Sequence, residues 1–264
     1  MIFDSHAHYD DKKFDGIRDD ILNEIFKSVE IKNIMNIGVN IESSAESIKL
    51  SEEYPQIYSS VGIHPHDAGK ITDDDEAIAA LKNFCKHEKV KAIGEIGLDY
   101  YYDIENKDIT IQWFHKQMRL ASELGLPVIV HNRDATGPCL EIVKNYPNVT
   151  GIFHSFSGSI ETALELIKRN WYISFSGVVT FKNAARILDV VKDVPLNRLL
   201  VETDCPYLAP HPMRGKINHS GYLKYTIEKI AELKNTPYDE LCAVTYENAR
   251  KIYNIQKDQG DIKK

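Results

Sequence analysis

Short apolar runs recur along the whole chain at nearly regular intervals. Eight of them are rich in β-branched and aromatic residues, and they start roughly 20 to 35 residues apart, which is the length of one strand-plus-helix unit. Most are apolar throughout rather than alternating, as strands buried on both faces of a sheet must be. The predicted strands are 2–3, 33–39, 57–63, 90–96, 126–130, 149–153, 171–175 and 198–201.

Helical patterns separate these runs. One predicted helix begins after a capping-box-like Thr72, and another ends at Gly125, with a proline two residues further on. A late helix has Thr236 in the position of a cap and Pro237 in its first turn. The other apolar stripes at helical spacing are Ile17, Ile21, Leu22, Ile25, Phe26 and Val29; Ala163, Leu164 and Ile167; Ile187, Leu188 and Val191; and a stretch from Ser220 through Leu223, Ile227 and Ile230.

Strands that alternate with helices predict an α/β fold with a parallel sheet. Eight such units in 264 residues favour a (β/α)8 TIM barrel that forms a single domain, because both the strand count and the length fit. A doubly wound open sheet is the competing arrangement. We expect the barrel to occupy residues 1–254 and a polar tail to follow at 255–264.

The composition excludes several classes of protein. The chain is 43% hydrophobic, enough for a large core, yet no apolar run is long enough to cross a membrane. An acid at Asp4 argues against a signal peptide, and four cysteines without a CxxC pair suit reduced thiols. We therefore expect a cytoplasmic protein, which we also predict to be monomeric. Its net charge of −7 predicts that any polyanion is bound locally rather than attracted by the whole surface.

Histidines and acids cluster where the predicted strands end. In a barrel the carboxyl ends of the strands meet on one face, and catalytic groups lie there. Six of the eight predicted strands end in a histidine, an aspartate or a glutamate. A single histidine at a strand end is usually an ordinary loop residue, but chance is a poor explanation for histidines or acids at six strand ends. The strand-end residues are His6 and His8, His64 and His66, Glu95 and Asp99, His131, His154, and Asp204.

This set of side chains predicts a metal site. Four imidazoles and two carboxylates suit two divalent ions such as Zn²⁺, Mn²⁺, Mg²⁺ or Co²⁺, with one carboxylate shared between them. Two ions about 3.5–4 Å apart activate a water molecule and hold both oxygens of a displacement, which is the chemistry of hydrolysis. The chain contains no Gly-rich phosphate loop or GxGxxG turn, so we expect no nucleotide cofactor, and no GxSxG motif of a serine hydrolase.

Six motifs in order, from Met1 to about Ile252, resemble the TatD family, which comprises metal-dependent deoxyribonucleases of the amidohydrolase superfamily with a barrel fold. The motifs are Asp4-Ser5-His6-Ala7-His8-Tyr9-Asp10, Val61-Gly62-Ile63-His64-Pro65-His66, Ile93-Gly94-Glu95-Ile96-Gly97-Leu98-Asp99-Tyr100, Pro127-Val128-Ile129-Val130-His131, His154-Ser155-Phe156-Ser157-Gly158 and Glu202-Thr203-Asp204-Cys205-Pro206-Tyr207.

The resemblance implies a role for each residue of the set. It implies a nuclease that cleaves phosphodiester bonds of DNA, from an end of the strand, with Glu95 bridging two metals. Asp204 would also accept a proton from the attacking water, and His64 would face the substrate phosphate. The implied ligands are His6, His8 and Asp204 for one metal and His131 and His154 for the other. One departure concerns the loop after strand eight, where the family's Asn-Glu-Pro is replaced by Asn218-His219-Ser220 after Ile217.

Further candidates lie in the loops on the same face. Arg133, Arg214 and Lys216 could hold the phosphate backbone, although ordinary solvated cations would give the same pattern. The aromatic run 100–102 could stack nucleobases, and core packing explains it equally well.

Two other functions remain open from the sequence. One is the hydrolysis of an amide or lactone, since an activated water attacks carbonyl carbon as readily as phosphorus. Many relatives of that type bridge their metals with a carboxylated lysine near the end of strand four, where this chain has Glu95, and Lys91 lies at the start of that strand. The other function is binding without catalysis, which the complete ligand set disfavours.

Overall fold

The eight predicted strands all form. The computed structural model describes residues 1–27, 30–102 and 106–256. Within these ranges the strands make one sheet in chain order, and each strand pairs in parallel with the next. They are β1 (Ile2–Ala7), β2 (Ile31–Ile37), β3 (Ile57–Val61), β4 (Val90–Asp99), β5 (Val128–Arg133), β6 (Gly151–Phe153), β7 (Tyr172–Phe175) and β8 (Leu199–Val201).

The end of β8 returns to β1 and closes the sheet. Ala7 and Cys205 form a parallel bridge. The backbone N–H of Asp204 donates to the His6 carbonyl at 2.9 Å, and the N–H of His8 donates to the Cys205 carbonyl at 2.8 Å. The fold is therefore a (β/α)8 TIM barrel, as predicted, and the open doubly wound sheet is excluded.

Ten helices surround the strands in the described ranges: α1 (Arg18–Lys27), α2 (Ile41–Glu53), α3 (Pro65–Ala68), α4 (Asp74–Phe84), α5 (Lys107–Leu124), α6 (Thr136–Lys144), α7 (Ile160–Lys168), α8 (Ala185–Asp193), α9 (Leu223–Lys234) and α10 (Tyr238–Ile252). The predicted end of α5 is confirmed, because Gly125 adopts a left-handed φ of 65° there. Val29, the last residue of the first predicted stripe, lies outside the described residues. None of the described helices combines the length and the apolar character that a membrane crossing requires.

The structure corrects three predicted helix starts. Asp73, not Thr72, caps α4, and its carboxylate accepts from the N–H groups of Asp75 and Glu76 at 3.1 and 3.0 Å. Thr236 is not a cap, because its N–H donates to the Ala231 carbonyl and so completes the end of α9. Helix α10 consequently begins one residue later than predicted, at Tyr238, with Pro237 before it. The stretch from Ser220 starts with a 3-10 turn, and α9 begins at Leu223.

An apolar cluster fills the barrel near the amino ends of the strands. It contains inward residues from the strands, part of α10, and Tyr253 directly after this helix, whose hydroxyl donates to the Ser5 carbonyl at 2.8 Å. The last helix therefore closes this end, which leaves the opposite end of the barrel for a site. The buried members of the cluster are Phe3, Met35, Ile37, Ala92, Ile129, Ile152, Tyr172, Leu200, Tyr246, Ala249, Ile252 and Tyr253.

Two further expectations concern the cysteines and the domain boundary. All four cysteines are free thiols in the structure, as expected, and Cys139, Cys205 and Cys242 are buried. The boundary predicted between residues 254 and 255 stays a prediction, because most of the predicted tail, residues 257–264, lies outside the described residues.

Candidate metal centre

A cavity of about 720 Å³ opens at the carboxyl ends of the strands. His6 lies beneath this cavity and is completely buried. The barrel thus brings together on one face all six residues that were predicted as metal ligands, together with His64. The other predicted ligands line the cavity: His8, Glu95, His131, His154 and Asp204.

Glu95 lies at the centre of this group. Its Oε2 is 3.4 Å from His6 Nε2 and 3.8 Å from His8 Nε2. Its Oε1 is 2.8 Å from both His131 Nδ1 and His154 Nε2. Each carboxylate oxygen therefore faces a different pair of imidazoles.

The first pair of imidazoles forms a cluster with Asp204. The Nε2 atoms of His6 and His8 are 3.1 Å apart, and Asp204 Oδ1 is 3.5 and 3.4 Å from them. Two imidazole nitrogens and a carboxylate oxygen that converge in this way match the donors that transition-metal ions prefer.

The second pair of imidazoles faces the other oxygen of Glu95. His131 Nδ1 and His154 Nε2 are 3.2 Å apart, and both face the same carboxylate oxygen. His64 is also close, with its Nε2 at 3.6 Å from Glu95 Oε1, so it joins Glu95 and His131 in a convergent group. The structure therefore places His64 within reach of the metal site as well as of the cavity.

The local backbone conformation positions the side chains of Asp204 and His131. Asp204, three residues after the end of β8, has a left-handed φ of 56°, which aspartate tolerates better than most residues. Gly97 has a φ of 135°, and a Cβ there would lie 2.0 Å from the His131 carbonyl oxygen. Only glycine lets β4 pass β5 beside this histidine.

Asp99 supports the site from the outside, a role that was not predicted from the sequence. Its buried Oδ2 is 3.2 Å from His131 Nε2 and 2.9 Å from His66 Nε2. A carboxylate behind a metal-binding imidazole fixes both the orientation of the ring and its tautomer. The available signal was the spacing, because Asp99 lies four residues after Glu95 in the same strand and so projects to the same side.

Glu202 has the corresponding position behind His154. It is completely buried, and its Oε1 is 3.4 Å from His154 Nδ1 and accepts from the Ser155 N–H at 2.7 Å. No role was predicted for Glu202 from the sequence. Its spacing of two residues from Asp204 is the signal that could have indicated one.

The loop that departs from the family pattern is anchored to the base of the site. The Ser220 hydroxyl donates to Asp4 Oδ2 at 2.7 Å, and Asp4 also accepts from the hydroxyl and the N–H of Thr203. Burial raises the pKa of Asp4 to about 6 against these hydrogen bonds. The Asn218 amide donates to the carbonyls of Thr203 and Tyr207, so both ends of the loop are held.

The electrostatics keep the central carboxylates ionised. Burial alone would raise the pKa of Glu95, but the positive charge of His154 and the hydrogen bonds from His131 and His154 hold it well below its usual value. Burial acts in the same direction on Asp204, and the hydrogen bond from His8 and the charge of His6 lower its pKa overall. The ionised form is the one that binds cations.

Two predicted substrate-binding residues lie away from the cavity. Arg214 and Lys216 are exposed, and neither lines the cavity. The Arg214 guanidinium donates to the Ala209 carbonyl at 3.1 Å and lies 4.0 Å from the centre of the Phe181 ring. Their role in substrate binding stays a prediction that these contacts do not support, whereas Arg133 and Tyr207 do line the cavity.

The support from Asp99 is testable by Asp99→Asn. The asparagine amide group would face His131 Nε2 and favour a proton on Nδ1, the nitrogen that faces Glu95. We expect metal affinity to fall about 10–100-fold, the usual effect of losing such a partner, as measured by competition with a calibrated chelator. Asp67→Asn is the matched control, because Asp67 lines the cavity but pairs with Lys70 instead. Equal affinities in the two variants would contradict the role of Asp99.

Imidazoles and carboxylates that converge in this way at the carboxyl end of a closed barrel are the mark of a metal-dependent hydrolase. The family model for TatD-related DNases matches residues 3–254, and the chain belongs to this family. The predicted family is thereby confirmed.

Relatives and solved structures agree with this assignment. The chain is 44% identical over 257 residues to the uncharacterized metal-dependent hydrolase YabD of Bacillus subtilis, covering 97% of this chain and all of that one. It is 35% identical to the uncharacterized metal-dependent hydrolase YcfH of Escherichia coli K12, covering 97% of this chain and 96% of that one. The crystal structure of YJJV, a TatD homologue from Escherichia coli K12, superposes with a TM-score of 0.89 at 27% identity, covering 97% of this chain and 98% of that one.

Proposed function

We propose that the protein is a deoxyribonuclease that cleaves phosphodiester bonds of DNA from an end of the strand. One observation carries the proposal, namely that each of the two oxygens of Glu95 faces its own pair of imidazoles. A carboxylate in this position suits two divalent ions that share it. The name of the family model, TatD-related DNase, supports DNA as the substrate.

The donors of the site fit two such ions. The nitrogens of each imidazole pair are 3.1 or 3.2 Å apart, and lone pairs this close repel each other unless a proton or a cation lies between them. His6, His8 and Asp204 would hold one ion, His131 and His154 the other, and Glu95 both. Bound ions of this kind polarise the phosphate and lower the pKa of water.

The protein's own residues supply the proton transfer and the positioning. Asp204 lines the cavity and is held as a carboxylate, so it can accept the proton of the attacking water. Burial lowers the pKa of His64 well below its usual value, which leaves a neutral imidazole toward the substrate. His64 would therefore position the phosphate by a hydrogen bond rather than by charge.

Lys91 bears on the alternative of an amide or lactone hydrolase. Its ammonium lies 5.9 Å from the centre of the Tyr58 ring, and Lys91 does not line the cavity. A carboxylated Lys91 would therefore not bridge ions that Glu95 holds. The position of Lys91 therefore favours phosphodiester cleavage over the hydrolysis of an amide or lactone.

The experiment that tests the function compares substrates directly. Metal-reconstituted protein is incubated with end-labelled single- and double-stranded DNA and RNA, and with amide and lactone substrates. We expect DNA to be shortened progressively from an end. Turnover of an amide or lactone without cleavage of any nucleic acid would replace the proposal by the alternative.

The metal requirement is a separate prediction. We expect about two divalent ions per chain in the active protein, as determined by elemental analysis. Excess chelator should abolish hydrolysis, and Zn²⁺, Mn²⁺, Mg²⁺ or Co²⁺ should restore it. Full activity in protein shown to be metal-free would contradict the mechanism.

The cytoplasmic location and the monomeric state stay predictions from the sequence.

A further inference from the structure

An aromatic and a cationic side chain lie together at the mouth of the cavity. The Arg133 guanidinium is 4.6 Å from the centre of the Tyr102 ring and 4.2 Å from that of Tyr101. Tyr102 is 65% exposed, and it lines the cavity together with Arg133. Tyr101 contacts the same guanidinium but does not line the cavity.

Asp99 links the backbone of Tyr102 to the candidate metal centre. Its Oδ1 accepts from the N–H groups of Tyr101 and Tyr102, both at 2.9 Å, while its Oδ2 faces His131. The His66 ring also meets the Tyr102 ring edge-on, with 5.7 Å between the centroids. One buried carboxylate therefore holds both a predicted metal ligand and the backbone of the exposed tyrosine.

The charges around the cavity single out Arg133. Among the described residues that line the cavity it is the one lysine or arginine, and Asp10, Asp11 and Asp67 line the cavity as well. No carboxylate of the described residues forms an ion pair with Arg133, so the carboxylates described do not neutralise its guanidinium directly. Arg133 would therefore supply the local positive charge that an anionic substrate meets at this cavity.

We propose that Tyr102 and Arg133 form a subsite for the nucleotide next to the scissile bond, with the base stacked on the Tyr102 ring and its phosphate bound by Arg133. This inference rests on the proposed function. Stacking uses the flat face that every base has, and a guanidinium matches the geometry of phosphate oxygens. The subsite would therefore require a base without selecting among the four.

The test uses two oligonucleotides that differ at one position. One has a normal nucleotide next to the scissile bond, and the other has a stable abasic residue there. For the wild-type protein we expect KM to be about tenfold lower with the base present, within the range that one stacked base contributes. Tyr102→Ala should remove this difference, while Tyr102→Phe should keep it. Tyr101→Ala is the matched control and should keep the ratio of the two KM values.

Arg133 has a separate readout in the salt dependence. Arg133→Gln should raise KM for both oligonucleotides, because both keep the phosphate. The slope of log KM against log salt concentration should become shallower by about 0.7, the value for one phosphate contact on a single strand. An unchanged slope would overturn the assignment of the phosphate to Arg133.

Further results would support or overturn the proposed subsite. If Tyr102→Ala leaves the tenfold ratio intact, or if the wild-type protein shows no ratio, the stacking proposal is overturned. If the wild-type protein cleaves no DNA, the proposed function fails, and the subsite is then judged by calorimetric binding of thymidine monophosphate. Weaker binding by Tyr102→Ala than by Tyr101→Ala would support the subsite, and equal binding would overturn it.

Discussion

Glu95→Gln is expected to abolish binding of the second ion and to lower turnover by several orders of magnitude. Glutamine keeps the shape of the side chain but removes the negative charge that both imidazole pairs face. Two divalent cations held close together in a buried site repel strongly, and the shared carboxylate offsets that repulsion. Elemental analysis and steady-state kinetics on the same preparation measure both effects.

The control for this variant is Glu202→Gln. Glu202 is as deeply buried as Glu95, but it contacts the far nitrogen of a single imidazole, that of His154. We expect this variant to retain two ions, with affinity reduced about 10–100-fold. If Glu95→Gln also retained both ions and turned over normally, Glu95 would not bridge.

Asp204→Asn is expected to separate metal binding from proton transfer. The asparagine carbonyl oxygen can still face His6 and His8, so metal should remain bound at reduced affinity. An amide is not a usable base, and turnover should fall about 10²–10⁴-fold, the usual contribution of a positioned general base. Turnover is measured with the variant saturated in metal, so that lost affinity does not account for the loss of rate.

Asp10→Asn is the matched control for this prediction. Asp10 lines the same cavity, but its carboxylate accepts from the Asn36 amide at 2.9 Å and belongs to none of the convergent groups. We expect its turnover to stay near that of the wild-type protein. Near-normal turnover of metal-saturated Asp204→Asn would show instead that the proton leaves through another group.

The sequence by itself determined the barrel and the chemistry of its site. Strands buried on both faces must be apolar throughout, so the positions of all eight strands were visible as apolar runs. Parallel strands that close into a barrel end on one face, so residues at those ends converge whatever their separation in the chain. That rule brought together Glu95, His131 and Asp204, which are far apart in sequence.

One helix could not be predicted from the sequence because its buried face is largely polar. Helix α2 was not predicted, since three of its four buried residues are Ser44, Ser47 and Ser51, which interrupt the apolar stripe. The Ser47 hydroxyl donates to the Asn36 carbonyl at 3.0 Å, so the helix contacts β2 partly through a hydrogen bond. Periodicity of hydrophobic residues cannot reveal such a face.

Only the tertiary structure decided which neighbours complete the site. Asp99 and Glu202 looked like further strand-end acids, and their function depends on lying behind particular imidazoles. Arg214 and Arg133 were both candidates in the sequence, yet the Arg214 side chain donates to a loop carbonyl while Arg133 lines the cavity. The direction of a long side chain depends on contacts from distant parts of the chain, so no local pattern encodes it.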